Sequence, residues 1–152
     1  MGKSSVTIDD FFTSAQENEI VEAIRRAERE TSGEVRVHIE DGDPSVEVLD
    51  RAAEVFNLLG MTQTALKNGV LLYLDITHHR FAIWGGQGIY EVVPHDFWDA
   101  TYVAAIGLFR QGKITEGLCA AIEQVGIELR EFFPYSQDDV NELPDEISKG
   151  RI

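Results

Sequence analysis

The apolar run VLLYL at 70–74 is the feature that most constrains what this chain can fold into. A strand with such a continuous run is typically covered on both faces of its sheet, which requires helices on both sides. Upstream, EVRVHIE at 34–40 alternates polar and apolar residues with the period of a half-buried strand. Downstream, FAIW at 81–84 follows a tight turn and is predicted to be the return strand of a hairpin.

Helical patterns separate these strands along the chain. Apolar residues at helical spacing predict helices at 15–31, around 48–59, at 95–110 and at 114–132. We expect Thr13 or Ser14 to cap the first helix, with Glu17 completing a capping box after Ser14. Ser45 is the candidate cap of the second helix.

The element order α-β-α-β-β-α-α favours a three-layer α/β/α sandwich with a mixed sheet. Strands 34–40 and 70–75 are expected to be parallel because a helix connects them. The hairpin pair is expected to be antiparallel. With 152 residues, the chain has the length of one domain. We place this domain at 11–135, after a flexible N-terminus at 1–10 and before an acidic, extended tail at 136–152.

The charge of the chain narrows the classes of partner. There are 13 Lys and Arg residues against 27 Asp and Glu residues, a net charge of −14. This balance argues against nucleic acid, whose phosphates require clustered basic side chains, and against anionic membrane surfaces. Metal cations and a protein partner of unknown identity stay open. Since no signal peptide, membrane span or anchor is evident, we expect a cytoplasmic monomer.

Three segments taken in order resemble the TPM domain family: TSGEVRV at 31–37, NGVLL at 68–72 and FAIWGGQGI at 81–89. The resemblance extends from about Phe11 to Phe133. The ending, FFPY at 132–135 with NELPD at 141–145, looks like that of a stand-alone bacterial branch without a membrane anchor.

The resemblance implies an α/β/α sandwich of Rossmann-like character. It also implies binding of a divalent cation, Ca²⁺ or Mg²⁺. A plant member of the family is described as an acid phosphatase, whereas bacterial members have no settled chemistry. Family members often carry Asp immediately before the Asn-Gly-Val segment. This chain has Lys67 there, which removes one acidic candidate ligand.

Strand directions predict where a cation site lies. If the first two strands are parallel, Glu34 and Asn68 lie at one end of the sheet, and the antiparallel third strand brings its glycines to the same end. Asp96 follows at the start of the next helix. The candidate metal ligands are therefore Glu34, Asn68, Gly86, Gly88 and Asp96. Carboxylate, amide and backbone carbonyl oxygens are the ligands that a hard cation prefers. The competing interpretation makes Glu34 a surface charge and Asp96 the cap of a helix.

The opposite end of the sheet is the alternative site. Candidate ligands there are Asp41, Asp43, Asp75 and His78, which follow the first two strands. Ligands of open α/β sheets usually bind beyond the carboxyl ends of the strands, which favours this end.

Three functional hypotheses follow. The first is an accessory or binding module that holds a divalent cation. The second is a metal-dependent acid phosphatase, in which the cation offsets phosphate charge. The third is an interaction protein that uses its acidic tail. The strongly negative field of the chain opposes an anionic substrate, so the first hypothesis ranks above the phosphatase.

Overall fold

A four-stranded mixed sheet forms the centre of the molecule, as seen in a computed structural model that describes residues 8–136, 142–150 and 152. The strands are β1 (Glu34–Glu40), β2 (Gly69–Asp75), β3 (Arg80–Gly85) and β4 (Ser148–Lys149), in the spatial order β3-β2-β1-β4. β1 is parallel to β2 and to β4, and β2 is antiparallel to β3. The expected parallel crossover and hairpin are thus confirmed.

Helices cover both faces of this sheet. They are α1 (Ser14–Glu30), α2 (Val48–Leu58), α3 (Gln87–Tyr90), α4 (Asp99–Arg110) and α5 (Ile114–Arg130). The larger core joins one face to α1, α4 and α5, and a smaller core joins the other face to α2. This confirms the three-layer α/β/α sandwich. Within the described ranges, no helix combines the length and apolarity needed to cross a bilayer.

The central strand β2 is buried along its whole length, as its apolar run predicts. Because side chains alternate between the faces of a sheet, Val70, Leu72 and Leu74 enter the larger core. Leu71 and Tyr73 enter the smaller one, under α2. β2 is therefore the element that ties the two cores together.

Of the two predicted caps of α1, Thr13 is confirmed. Thr13 is the N-cap, and its side chain accepts a hydrogen bond from the backbone N–H of Gln16 at 3.1 Å. The Gln16 side chain in turn accepts from the Thr13 N–H at 2.9 Å. The capping box is thus formed by Thr13 and Gln16, and the pairing of Ser14 with Glu17 was wrong.

The predicted cap Ser45 is also wrong, and so is the competing interpretation of Asp96 as a helix cap. Ser45 hydrogen-bonds Asp43 through both its N–H and its hydroxyl, which keeps it in a turn, and α2 starts later with no side-chain cap. Asp96 precedes the start of α4, whose N-cap is Trp98. Asp96 therefore does not cap that helix.

The segment 142–150 completes the sheet. β4 pairs with β1 through His38 opposite Ser148, and the Gly150 N–H donates to the Ile39 carbonyl at 2.9 Å. Leu143 is buried in the core under α2. The acidic residues Asp138 and Asp139 of the expected tail lie outside the described residues, as does 1–7 of the expected flexible N-terminus.

Candidate functional site

The amino ends of β1 and β2, together with the loop at 64–68 and the start of α3, form what we term the Glu34 end of the sheet. The Glu34 N–H donates to the Asn68 carbonyl at 3.3 Å, and the Gly88 N–H donates to the Lys67 carbonyl at 2.8 Å. Four of the five predicted ligand residues, Glu34, Asn68, Gly86 and Gly88, therefore lie on adjoining segments.

The glycines of this end are required by close backbone packing. A Cβ at Gly86 would lie 2.5 Å from the Lys67 carbonyl oxygen, and one at Gly88 would lie 2.2 Å from that of Leu66. Only glycine permits such an approach. The Lys67 carbonyl already accepts a hydrogen bond from Gly88, so the observed role of this loop is to hold α3 against the loop at 64–68.

Glu34 is a buried carboxylate that anchors the C-terminal segment. Its side chain is 2% exposed, and Oε1 accepts hydrogen bonds from the backbone N–H groups of Glu142 and of Leu143, the latter at 3.0 Å. Asn68 is also buried, and its Nδ2 donates to the Ser32 hydroxyl at 3.5 Å. Both side chains thus have protein partners.

Next to Glu34 lies a carboxyl pair that sequence reasoning missed, formed by Glu28 of α1 and Asp145. The two side chains are hydrogen-bonded to each other, and Glu28 Oε2 also accepts from the Val35 N–H at 3.0 Å. Burial, then the bond to Asp145 and the charge of Glu34, raise the pKa of Glu28 to about 9. At neutral pH this carboxyl therefore holds a proton.

Titration of Glu28 tests this pair. Because the pKa of Glu28 is raised to about 9 in the folded chain, the contribution of the pair is complete below the ordinary carboxyl pKa. It is lost as the pH rises through about 9. We expect the amide protons around Leu143 to exchange faster there, beyond the intrinsic effect of pH. Glu28→Gln keeps a neutral partner for Asp145 and is expected to remove this excess.

Carboxyl NMR shifts give the direct check on this titration. A Glu28 carboxyl that titrates near pH 4 would contradict the raised pKa of Glu28.

The fifth predicted ligand, Asp96, stands apart from this group. Its side chain is exposed and, within 8–136 and 142–150, that side chain makes no hydrogen bond or ion pair. The adjacent Phe97 ring packs on Phe132, with ring centroids 5.6 Å apart. The structure thus brings four of the five residues together and leaves Asp96 on a surface loop.

At the alternative end, Asp75 is a fully buried centre of hydrogen bonds. Its Oδ1 accepts from the N–H groups of Gly42, Thr77 and His78 at 3.0–3.1 Å. Its Oδ2 accepts from the Arg80 guanidinium at 2.9 Å and lies 3.0 Å from His78 Nδ1. Burial alone would raise the pKa of Asp75, but these hydrogen bonds outweigh it and lower that pKa.

The other predicted ligands of this end are joined to the same loops. Asp41 accepts a hydrogen bond from the Thr77 hydroxyl at 2.5 Å. Asp43 accepts two hydrogen bonds from Ser45, while the Asp43 carbonyl accepts from Arg80 at 2.8 Å. Arg80 supplies positive charge beside Asp75, as Arg25 does beside Asp145 at the Glu34 end.

A buried polar network under α2 was not anticipated. Glu40 is 1% exposed and accepts two hydrogen bonds from Arg51, each 2.8 Å long, and one from the Tyr73 hydroxyl. Burial favours the neutral carboxyl, but these bonds dominate and hold the pKa of Glu40 well below its ordinary range. The polar alternation along 34–40 was the available signal, although it had predicted a solvent-facing side.

The same network ties β4 to β1. His38 lies 2.8 Å from the Ser148 hydroxyl through Nδ1 and 3.3 Å from Glu40 through Nε2. Ser, His and Glu stand here in the order of a hydrolase triad. His38 is completely buried, however, so no substrate reaches it. We therefore assign the contact a structural role, which is to fix the position of β4.

Across 8–136 and 142–150, no three His, Cys, Asp or Glu side chains converge closely enough to hold a metal ion between them. The Glu28–Asp145 pair nevertheless has the donor chemistry for one. Mg²⁺ in proteins is often held by one or two carboxylates and completed by water. A proton shared between two carboxyls marks a place where negative charge is in excess.

The layer order and the carboxyl-rich end of the sheet define a class, the α/β/α domains with a mixed sheet and an acidic edge. The family model of the TPM domain matches residues 6–127, and the chain belongs to the TPM domain family. It is similar to the BA42 protein from the psychrophilic bacterium Bizionia argentinensis, with 46% identity and a TM-score of 0.88. That match covers 95% of this chain and 99% of the other.

Two more distant structures share the fold alone. The N-terminal domain of a protein from P. gingivalis is 23% identical, with a TM-score of 0.65 over 80% of this chain and 78% of its own. The N-terminal domain of cg2496 from Corynebacterium glutamicum is 18% identical, with a TM-score of 0.62 over 77% of this chain and 73% of its own. Comparison with curated proteins found no match.

Proposed function

We propose that this domain is a non-catalytic accessory module that binds a divalent cation, Mg²⁺ or Ca²⁺, at the Glu34 end. The observation that carries the proposal is the Glu28–Asp145 carboxyl pair beside the buried carboxylate of Glu34. Glu28 and Asp145 are the residues that hold the ion. When bound, the ion would offset the negative charge of Glu28, Asp145 and Glu34, and Glu28 would lose its proton.

The contacts of Asp145 explain why cation binding is expected to change the C-terminal segment in a measurable way. Asp145 belongs to the same segment as Leu143, whose N–H is held by Glu34. Arg25 Nε lies 3.6 Å from Asp145, so the segment is already drawn towards α1. Tighter binding of Asp145 therefore orders residues 142–150 and, through β4, the edge of the sheet.

The test is a titration of the full chain with Mg²⁺ and Ca²⁺, followed by backbone amide shifts. We expect shifts at Glu34, Val35 and Asp145, and an affinity that rises with pH because the shared proton must leave. Asp145→Asn is expected to weaken binding by about tenfold or more, since one ionised ligand is lost. Asp50→Asn is the matched control, because it removes the same charge from an exposed position on α2.

The same titration separates the earlier candidate residues. A loss of binding in Asp96→Asn would move the site to the surface loop. Shifts centred on Asp41, Asp75 and His78 would move it to the opposite end. Either result, or the absence of shifts at millimolar metal, would overturn the proposed site.

The alternative activity, a metal-dependent acid phosphatase, is tested in the same samples. Turnover of a generic phosphoester that depends on Mg²⁺ and disappears in Asp145→Asn would replace the accessory role by catalysis. We expect no turnover, because a net charge of −14 repels an anionic substrate.

A further inference from the structure

The free edge of the sheet at β3 lies at the bottom of an apolar groove. β3 is the outermost strand in the order β3-β2-β1-β4. Two adjoining depressions of about 370 Å³ each run along it. Their walls come from both faces of the sheet: Val48 and Leu49 on the α2 side, and Trp98, Tyr102 and Val103 on the α4 side.

The backbone of β3 has unused hydrogen-bonding groups along this groove. Gly86 donates to Gly69 at 2.8 Å, so the directly bonded pairs of the hairpin ladder recur at every second residue from there. Phe81 and Ile83 fall between those pairs. Their N–H and C=O groups therefore point away from β2, and within 8–136 and 142–150 no backbone group pairs with them.

Exposed apolar side chains line the groove. Leu49 is 47% exposed, Val103 68% and Tyr102 42%. Natural sheets usually protect a free edge with charged residues, proline or a covering element, because unpaired strands recruit other strands. This edge has no proline, and the Arg80 guanidinium at its start is bonded to Asp75 and the Val46 carbonyl. The walls of the groove leave Phe81 3% and Ile83 8% exposed, so the two depressions are the route to their backbone.

The two walls differ in chemistry. The α2 side offers Val48 and Leu49 beside Ala82 of the strand, which suits apolar side chains. On the α4 side, Asp99 lines the depression together with Trp98 and Tyr102. Aromatic faces with a carboxylate suit the aliphatic stem and cationic head of Lys or Arg. Neither depression is lined by a Lys or Arg residue.

We propose that the β3 edge is a docking site for an extended peptide of a protein partner, in which apolar residues alternate with Lys or Arg. The peptide adds to the sheet as a further strand, with its backbone paired to Phe81 and Ile83. Its apolar side chains face α2 and its basic side chains face Asp99 and Trp98. A second copy of this chain is disfavoured, because each copy carries a net charge of −14.

The probe is an acetylated six-residue peptide, the length of β3, in which valine and lysine alternate. We expect it to shift the amides of Phe81 and Ile83 and to slow their hydrogen exchange. A peptide of alternating valine and glutamate is the charge control and is expected to bind at least about tenfold more weakly. Raised salt should weaken the lysine peptide.

Variants of the chain test the charge contact with Asp99, and variants of the peptide test the backbone pairing with β3. Asp99→Lys is expected to weaken the lysine peptide by about five- to tenfold, whereas Asp50→Lys should leave it unchanged. Both positions are the acidic residue in the first turn of a helix, so their effects on folding are matched. N-methylation of one alternate set of peptide amides should abolish binding, and methylation of the other set should not.

Several results would overturn the proposal. These are equal binding of the glutamate peptide, binding that survives both methylation patterns, and shifts that lie away from β3. A peptide-free dimer in sedimentation, with the exchange of Ile83 slowed at high concentration, would show that a second copy occupies the edge instead. The cation site lies elsewhere, so loss of metal binding in Asp145→Asn leaves this test unaffected.

Discussion

Asp75→Asn is expected to destabilise the domain by about 3–5 kcal/mol, the cost of breaking a buried charge pair. The carboxylate of Asp75 holds the loops after β1 and β2 together through Gly42 and Thr77 and also binds Arg80. The asparagine amide would turn N–H donors towards the guanidinium, so both would lack an acceptor. Denaturant unfolding measures the loss as a change in the free energy of unfolding.

Asp50→Asn serves as the control for this substitution, because Asp50 is exposed on α2. Its effect should stay within about 0.5 kcal/mol. Since the pKa of Asp75 is lowered, its contribution is present above the ordinary carboxyl pKa and is lost as the pH falls through the lowered value. A variant as stable as the parent would mean that the loops at this end do not depend on Asp75.

Gly88→Ala is expected to cost about 2–4 kcal/mol, because it forces backbone to move. The added Cβ would lie 2.2 Å from the Leu66 carbonyl oxygen and 2.8 Å from that of Lys67. Neither atom belongs to a flexible side chain, so the overlap is relieved only by separating α3 from the loop at 64–68. Thermal and denaturant unfolding should both show the loss, with altered amide shifts around Asn68.

Gly107→Ala is the matched control, with an effect of opposite sign. Gly107 lies inside α4, and no atom stands within 4 Å of a Cβ added there. Alanine is favoured over glycine in a helix by about 1 kcal/mol, so this variant should be more stable than the parent. If both alanine variants shifted stability in the same direction, close packing at Gly88 would not be the cause.

The main strands and helices were predictable because each carries a periodic signal of its own. The apolar run of β2, the alternation of β1 and the helical spacing in α1 and α5 are local patterns that burial enforces. β4 was missed because it has two residues and no period. It is held by groups that reach it from β1, above all His38.

The candidate site was predictable only as far as strand direction determines it. Parallel pairing of β1 and β2 places Glu34 beside Asn68, and the hairpin returns the glycines to the same end. Glu28 and Asp145 meet because α1 and the C-terminal segment both pack there, which no spacing along the chain encodes. The alternation of polar and apolar residues in β1 predicts a solvent-exposed face, whereas Glu40 is buried and paired with Arg51.

The late position of β4 in the chain has a kinetic consequence. Its contact with β1 joins residues 110 positions apart, and closing so long a loop is slow and entropically costly. During refolding, the sheet can assemble from β1 to β3 well before Ser148 arrives. An intermediate of that kind has β1 as a second unpaired edge, which makes it prone to aggregation. The refolding yield should therefore fall as protein concentration rises, even at concentrations at which the native domain stays dissolved.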